Sequence, residues 1–336
     1  MNQQAKTERI KNIFSSNQMI VIYIIAGMLI LIAGINPSAF GPATFIDTGR
    51  SMLTMLMFAL CEMIVIISGG IDVSFPAFAT FCMYATTKLM VTAGIDGVLL
   101  SFVIAGAMGL GLGLLNGFLV GTCKIPTLIA TLGTSSLIHG ALLSFVGVND
   151  ITNLPPQMDE VGKQYLFQVQ TDAGVSSMSI FIILPIVLCV IVWLLLRYTM
   201  LGRSIYAIGG DVNSAQRAGF NVKRTQYFIY MFVGVIVGIG GMTYTLLARN
   251  ANTTQLMGSE MMVIAAVVIG GARITGGHGN VLGTILGVAL INIVSNNLIV
   301  MGVPTYWQTF LIGLLIIVGV IITSVKAKRV ALAPKI

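Results

Sequence analysis

Apolar runs long enough to cross a membrane follow one another along nearly the whole chain. Runs of about 17 to 25 apolar residues span the hydrocarbon core of a bilayer as helices. Only 9% of the 336 residues are charged, whereas soluble domains carry roughly 25%. We therefore predict an all-α polytopic membrane protein with a single transmembrane domain over residues 1–336. About ten spans are predicted, and the eighth is short: 19–35, 52–68, 74–93, 97–121, 126–147, 179–197, 227–248, 261–271, 281–300 and 306–324.

The distribution of basic residues predicts the orientation of these spans. With a cytoplasmic N-terminus, 14 of the 18 Lys and Arg residues fall in cytoplasmic segments, and 4 fall outside. Loops rich in Lys and Arg stay in the cytoplasm, so we predict that both termini are cytoplasmic. Residues 1–18 then form a cytoplasmic tail, 148–177 an acidic external loop and 201–224 a cytoplasmic segment. The net charge of +7 is explained by this topology, and we predict no nucleic-acid partner.

The segment 201–224 is the one long, well-charged stretch outside the predicted spans. Asp211 can cap the N-terminus of a short helix, and Gly219 suits the position just after its end. A helix of about seven residues is too short to be stable alone, so it has to dock on something. We interpret 201–224 as the lever through which another protein moves a membrane pore, and we call it the coupling segment.

Two stretches break the pattern of spans. The first break, Ser68–Ser74, joins two apolar runs with almost no loop and includes Asp72. The second break, Gly270–Gly279, follows the short eighth run. Irregular backbone at membrane depth is tolerated where protein or a water cavity satisfies it. Each break is equally compatible with a tight cytoplasmic turn. In the first break, Asp72 would then cap the helix that starts at Val73 or Ser74.

Polar side chains inside apolar runs are the remaining candidates for a translocation path. Such residues usually face the bundle interior or a cavity. A plain helix–helix hydrogen bond is the favoured interpretation for a single Asn or Thr. The candidates, together with the breaks, are Ser68, Gly69, Gly70, Asp72, Asn116, Thr131, Thr134, Glu260, Gly270 and Gly271.

Small residues recur every four positions in several runs. Ala105, Gly109, Gly113 and Gly117 line one face of the fourth predicted span. A helix face with almost no side chain lets a neighbouring helix approach closely. We therefore expect most of the glycines to serve packing.

The sequence lacks the motifs of enzymes. It contains no GxxxxGK[ST], HExxH or GxSxG pattern, and it has only two histidines. Its four cysteines lie in apolar runs without a CxxC pair, which predicts free buried thiols. We expect no catalytic residue, no metal and no cofactor on this chain. The pattern instead favours the passage of a polar solute.

Four ordered motifs resemble the membrane subunit of ribose-type, simple-sugar ABC importers. They are ISGGIDVS at 67–74, NGFLVGTCKIPTLIATLGT at 116–134, GRSIYAIGGDVNSAQRAGF at 202–220 and IAAVVIGGARITGGHGNVLGT at 264–284. Together they extend the resemblance from about the second span to the tenth. The chain departs from the family pattern at Phe75-Pro76, at Asp211 and at Arg217-Ala218, which leaves the identity of the solute open.

The resemblance implies an importer core in the bacterial plasma membrane. Two such subunits, identical or paired with a sister chain, would form the pore. Cytoplasmic ATPase subunits would bind ATP and Mg²⁺, and an external solute-binding protein would deliver a monosaccharide. The residues expected to dock on the ATPase are Gly202, Arg203, Tyr206, Gly209, Gly210, Asp211, Ala215, Arg217 and Gly219.

Other functions remain open at this point. A nucleoside or a furanose-like signal could replace the sugar. A stand-alone, ion-coupled secondary transporter also uses broken helices, and Asp72, Glu62 or Glu260 would then bind the ion. A receptor or structural membrane protein is a third alternative.

Overall fold

The computed structural model describes residues 17–35, 41–171 and 174–300, and isolated positions between 304 and 321. The predicted tail up to residue 16 and most of the predicted span 306–324 lie outside the described residues. The helices are α1 Asn17–Ile35, α2 Pro42–Ile67, α3 Phe75–Ala93, α4 Val98–Gly121, α5 Thr127–Ala141, α6 Pro156–Gly162, α7 Ile183–Tyr198, α8 Met200–Gly210, α9 Val212–Arg217, α10 Val222–Ala248, α11 Glu260–Ile269 and α12 Val281–Val300.

The polytopic class predicted from the sequence is confirmed. Six helical stretches of the described part are long and apolar enough to cross a membrane. The predicted short eighth span is the ten-residue helix α11. Helices occupy each of the first nine predicted spans, although α1, α3 and α11 are not among the six. The count of ten spans and the orientation of the termini remain predictions.

Helix α2 is the centre of the bundle. It contacts α7, α8, α10, α11 and α12. Every residue from Met57 to Ile67 is buried. A helix that is apolar on all sides has no face to offer to solvent and is surrounded by protein. The first break follows directly from the buried end of this central helix.

Among the described helices, α4 and α10 have the most extensive contact, and glycines explain why. A Cβ atom added at Gly109 or Gly113 would collide with the carbonyl oxygen of Gly234 or Tyr230, respectively. A Cβ atom at Gly238 would collide with the carbonyl oxygen of Ala105. The four-residue spacing of small residues therefore serves close packing, as predicted.

This contact predicts a difference between two glycines of one helix. The variant Gly109→Ala is expected to lose about 3 kcal/mol of unfolding free energy, because the backbone of α10 has to move away. The matched control is Gly111→Ala, where a Cβ atom meets nothing within 4 Å; its stability should be unchanged or higher by less than about 1 kcal/mol. Thermal unfolding in detergent measures both. Equal midpoints for the two variants would contradict this packing.

The predicted external loop contains a β-hairpin, which corrects the all-α prediction. Strand β1, Tyr165–Thr171, pairs antiparallel with β2, Gly174–Ser179, and the register aligns Gln168 with Ser177. From Phe167 to Thr171 the segment FQVQT alternates apolar or aromatic residues with polar ones, a typical strand pattern. The strands were not predicted because each is too short to resemble a membrane span. The same loop contains the short helix α6.

Polar contacts tie this loop to the end of α10. Asp159 accepts hydrogen bonds from Arg249 and Lys163, both at 2.6 Å. These donors hold the pKa of the Asp159 carboxyl below its usual range. Ile151 pairs with Ala251 in an isolated β-bridge. We call this side of the molecule the hairpin end, and the side that carries residues 201–224 the coupling end.

Candidate functional site

The first break begins where α2 stops. Ser68 caps the C-terminus of α2, and Gly69 follows with a φ of 90°, a conformation that favours glycine. The chain then runs without helix to Phe75, where α3 begins with Pro76 in its first turn. In the alternative of a tight turn, Asp72 would cap a helix starting at Val73 or Ser74. Instead, its Oδ1 accepts the N–H of Ser74 at 2.7 Å and the hydroxyl of Ser74 at 2.6 Å.

A chain of buried hydrogen bonds extends from this break across the bundle. Asn116 of α4 donates its amide to the Ser74 hydroxyl oxygen at 2.8 Å. The Thr134 hydroxyl of α5 donates to the Asn116 carbonyl oxygen at 2.8 Å. The start of α3 is therefore fixed to α4 and α5. Asn116 makes helix–helix hydrogen bonds, as expected, and at the same time holds the first break.

Thr131 adds a second connection from α5. Its hydroxyl donates to the carbonyl oxygen of Ile71 and accepts the N–H of Val73, both at 3.3 Å. The backbone of the break thus finds hydrogen-bond partners on a neighbouring helix. We call the set Glu62, Asp72, Ser74, Asn116, Thr131 and Thr134 the polar chain.

Glu62 belongs to this set, although we did not choose it as a path residue from the sequence. Its Oε1 accepts the N–H of Asp72 at 3.2 Å, and its side chain is 1% exposed. One signal was present, because Glu62 is the single acid between residues 48 and 71. Glu260 differs, since it is half-buried at the start of α11 near the hairpin end and does not join the polar chain.

The second break packs onto the first. Gly271 has a φ of 102°, and the N–H of Gly277 donates to the Ile67 carbonyl oxygen at 2.8 Å. Gly270, a predicted path residue, instead packs against α12, where a Cβ atom would collide with the Gly283 carbonyl oxygen. Its place on the translocation path stays a prediction.

Three glycines meet where the breaks touch α8. A Cβ atom added at Gly276 would lie 2.9 Å from the Cα atoms of both Gly69 and Gly209. One added at Gly209 would collide with the Ile67 carbonyl oxygen and lie 2.6 Å from the Gly277 nitrogen. We call Gly69, Gly209 and Gly276 the glycine junction. It joins both breaks to the coupling segment.

The coupling segment holds two helices, of which the sequence predicted only one. Helix α8 was missed because Gly202, Gly209 and Gly210 disfavour helix by propensity. Tertiary packing overrides that preference, since Gly202 and Gly209 are buried against backbone that leaves no room for a Cβ atom. Thr199 caps α8 by accepting the N–H of Gly202 at 3.0 Å. The Tyr206 hydroxyl donates to the Gly279 carbonyl oxygen at 2.7 Å, which fixes α8 to the second break.

The predicted short helix is present as α9, with the predicted caps. Asp211 accepts the N–H of Ser214 at 2.6 Å, and hydrogen bonds from the side chain and the backbone of Ser214 hold the Asp211 pKa below its usual range. Gly219 has a φ of 87°. The N–H of Phe220 donates to the Ala215 carbonyl oxygen, which closes the helix end. Ala215 is buried with Ile208, so α9 docks on α8.

The predicted docking residues separate into a buried and an exposed group. Gly202, Gly209 and Ala215 are buried, and Tyr206 is half-buried, so these four residues hold α8 and α9 in place. The exposed group could contact another protein: Arg203, Gly210, Asp211, Arg217 and Gly219.

A cleft of about 620 Å³ opens between the coupling segment and the first break. Gly69, Gly70 and Ile71 of the break line one side, and Asn213 and Gln216 of α9 line the other. Two basic residues, Lys124 and Lys223, also border it. Helix α9 and the part of the first break that Thr131 holds therefore line the same cleft.

No group of three or more His, Cys, Asp or Glu side chains that could hold a metal occurs among the described residues. The four cysteines are free thiols, and Cys61 and Cys82 are buried as expected, whereas Cys189 is half-buried and Cys123 is exposed.

The sequence matches a known protein family over most of its length. The family model described as branched-chain amino acid transport system, permease component, covers residues 44–320. The chain belongs to this family of transport permease components. The matched region includes both breaks, the polar chain and the whole coupling segment. Permease components are transport subunits of the membrane, as the four motifs implied.

Curated permeases resemble the chain over nearly its full length. The ribose import permease protein RbsC of Bacillus subtilis (strain 168) is 31% identical over 300 residues, covering 89% of this chain and 90% of that protein. The fructose import permease protein FruG of Bifidobacterium longum is 34% identical over 271 residues, with coverages of 80% and 78%. The autoinducer 2 import system permease protein LsrC of Yersinia enterocolitica is 30% identical over 298 residues, with coverages of 89% and 79%. No solved structure matches the chain.

Proposed function

We propose that this chain is the membrane-spanning permease subunit of an ATP-driven importer in the bacterial plasma membrane. In this proposal it moves a monosaccharide that an external binding protein delivers. The observation that carries the proposal is the packing of the coupling segment on both breaks through the glycine junction. A force applied to α8 and α9 from the cytoplasm then reaches the backbone that follows α2.

Partner subunits supply the energy. ATP and Mg²⁺ bind to separate ATPase subunits, which grip the exposed residues of α8 and α9. When ATP closes the ATPase dimer, α8 and α9 move together because Ala215 is buried between them. The hydrogen bond from Tyr206 to Gly279 and the glycine junction transmit this motion to the breaks. The spans α7 and α10, on either side of the coupling segment, then tilt and change the side to which the pore opens.

The solute class follows from the names of the relatives. Ribose and fructose, which two of those proteins import, are small uncharged polyols. Autoinducer 2, a solute of another relative, and nucleosides are the alternatives within the same transport reaction. The external binding protein supplies affinity, and the permease offers only weak polar contacts, because a tight site in the pore would slow release. A second permease copy or a sister permease completes the pore.

A charge reversal in α9 tests the role of the coupling segment. The variant Arg217→Glu is expected to lose at least about tenfold of ATP-driven uptake. The substitution replaces an exposed cation with an anion, and like charges across an interface cost several kcal/mol. Arg217→Lys keeps the charge and should stay within about twofold of the wild-type uptake. Uptake and ATP hydrolysis are measured in proteoliposomes that hold the permease, its co-purifying ATPase and its binding protein. Wild-type coupling in Arg217→Glu would overturn the docking proposal.

A further inference from the structure

Glu62 differs from the other members of the polar chain in how its side chain is paired. One carboxyl oxygen, Oε1, accepts the N–H of Asp72. The other, Oε2, is buried and has no hydrogen-bond partner. A buried oxygen that lacks a donor is unfavourable, and far more so when it carries negative charge. The surroundings of Glu62 therefore decide its protonation state.

Asp72 has the opposite surroundings. Its Oδ1 accepts both the N–H and the hydroxyl of Ser74. The donors behind Ser74 point the same way, since Thr134 donates to Asn116 and Asn116 donates to Ser74. Hydrogen bonds aligned in one direction polarise one another, and they are strongest when the last acceptor is an anion. The chain of donors thus ends at Asp72.

No cation neutralises these two acids in the described part of the chain. The ion pairs found there join Asp159 to Lys163 and Arg249, at the hairpin end. The titratable groups that interact electrostatically with Glu62 are Asp72, Cys61 on α2 and Tyr230 on α10. None of these side chains can carry a positive charge. Two negative charges at one buried site repel each other and are both desolvated, so one of the two carboxyls has to be neutral.

We propose that Glu62 holds a proton on Oε2 and serves as a neutral positioning residue for the first break, while Asp72 carries the single negative charge. The neutral acid keeps its Oε1 available for the backbone N–H of Asp72. This assignment goes beyond the proposed function, because it holds for any solute and any energy source. The proton belongs to the resting structure and is not transported.

The variant Glu62→Gln is an isostere of the neutral acid and provides the test. Infrared spectra of the full-length permease in lipid vesicles should show the carbonyl band of a protonated carboxylic acid, which ionised carboxylates lack. The band is assigned from the difference between the wild-type spectrum and the spectrum of each variant. The band should vanish in Glu62→Gln and remain in Asp72→Asn. The control Glu260→Gln, in a half-buried carboxyl near the hairpin end, should leave it unchanged. The unfolding midpoint of Glu62→Gln should stay within about 3 °C of the wild type.

Three results would overturn the proposal. One is a wild-type spectrum without the band, and another is a band that disappears in Asp72→Asn but survives in Glu62→Gln. The third is an unfolding midpoint of Glu62→Gln as low as that of Glu62→Leu, which would mean that an ionised carboxylate is required. These readouts involve neither ATP nor solute, so they stand apart from any failure of the importer proposal.

Discussion

The variant Gly209→Ala is expected to unfold at a markedly lower temperature than the wild type and to lose ATP-driven uptake. A Cβ atom at this position would collide with the Ile67 carbonyl oxygen and lie 2.6 Å from the Gly277 nitrogen. Both groups belong to backbone, and they are joined by the hydrogen bond from Gly277 to Ile67. Neither can move aside as a flexible side chain would. We expect a loss of about 3 kcal/mol and a fall in the unfolding midpoint of about 6 °C or more.

Gly210→Ala is the matched control for stability. Gly210 is the next residue of the same helix, and a Cβ atom there meets nothing within 4 Å. Its unfolding midpoint should equal that of the wild type. If both variants unfold at the wild-type temperature, α8 does not pack on the breaks as closely as the glycine junction requires.

The second large effect is expected for Asn116→Ala. The substitution removes the donor to the Ser74 hydroxyl oxygen and the acceptor of the Thr134 hydroxyl. The buried hydroxyls of Ser74 and Thr134 then each lose one hydrogen bond, which costs about 0.5–1.5 kcal/mol apiece. A cavity adds to this loss. We expect at least about 3 kcal/mol of destabilisation and a loss of uptake of tenfold or more, since the start of α3 is no longer fixed to α4 and α5.

Asn296→Ala is the corresponding control. Asn296 also joins two helices, because its amide donates to the Ser51 hydroxyl at 2.8 Å, but that contact is exposed. Ser51 is an exposed residue, so the hydroxyl that loses this hydrogen bond is not buried, and the unfolding midpoint should change little. The polar chain would lose its assigned role if Asn116→Ala and Asn296→Ala unfolded at the same temperature.

The membrane helices and the ends of α9 were predictable because they depend on local sequence. Hydropathy marks each span without knowledge of its neighbours. Asp211 and Gly219 bound α9 through hydrogen bonds and backbone angles within a few residues. The small residues around Gly109 likewise predicted a close helix contact. They did not predict that the partner is α10.

The features that the sequence did not predict depend on distant contacts. Helix α8 contains glycines, which disfavour a helix by propensity. The sequence does not show that Ile67 and Gly277 pack against Gly209 in the fold. Asp72, Asn116, Thr131 and Thr134 were identified as polar residues within or between apolar runs, but only the fold shows that they meet. Glu62 was left out for the same reason, since its partner, the N–H of Asp72, lies on a break whose path hydropathy does not describe.

Solute uptake into proteoliposomes tests the central claim, that this pore has no energy source of its own and is driven through residues 201–224. One set of vesicles holds the chain with its ATPase, its binding protein and internal ATP, and another holds the chain alone under a proton or sodium gradient. We predict uptake of a monosaccharide in the first set and none in the second. Gradient-driven uptake by the chain alone would contradict the account and identify a secondary transporter instead.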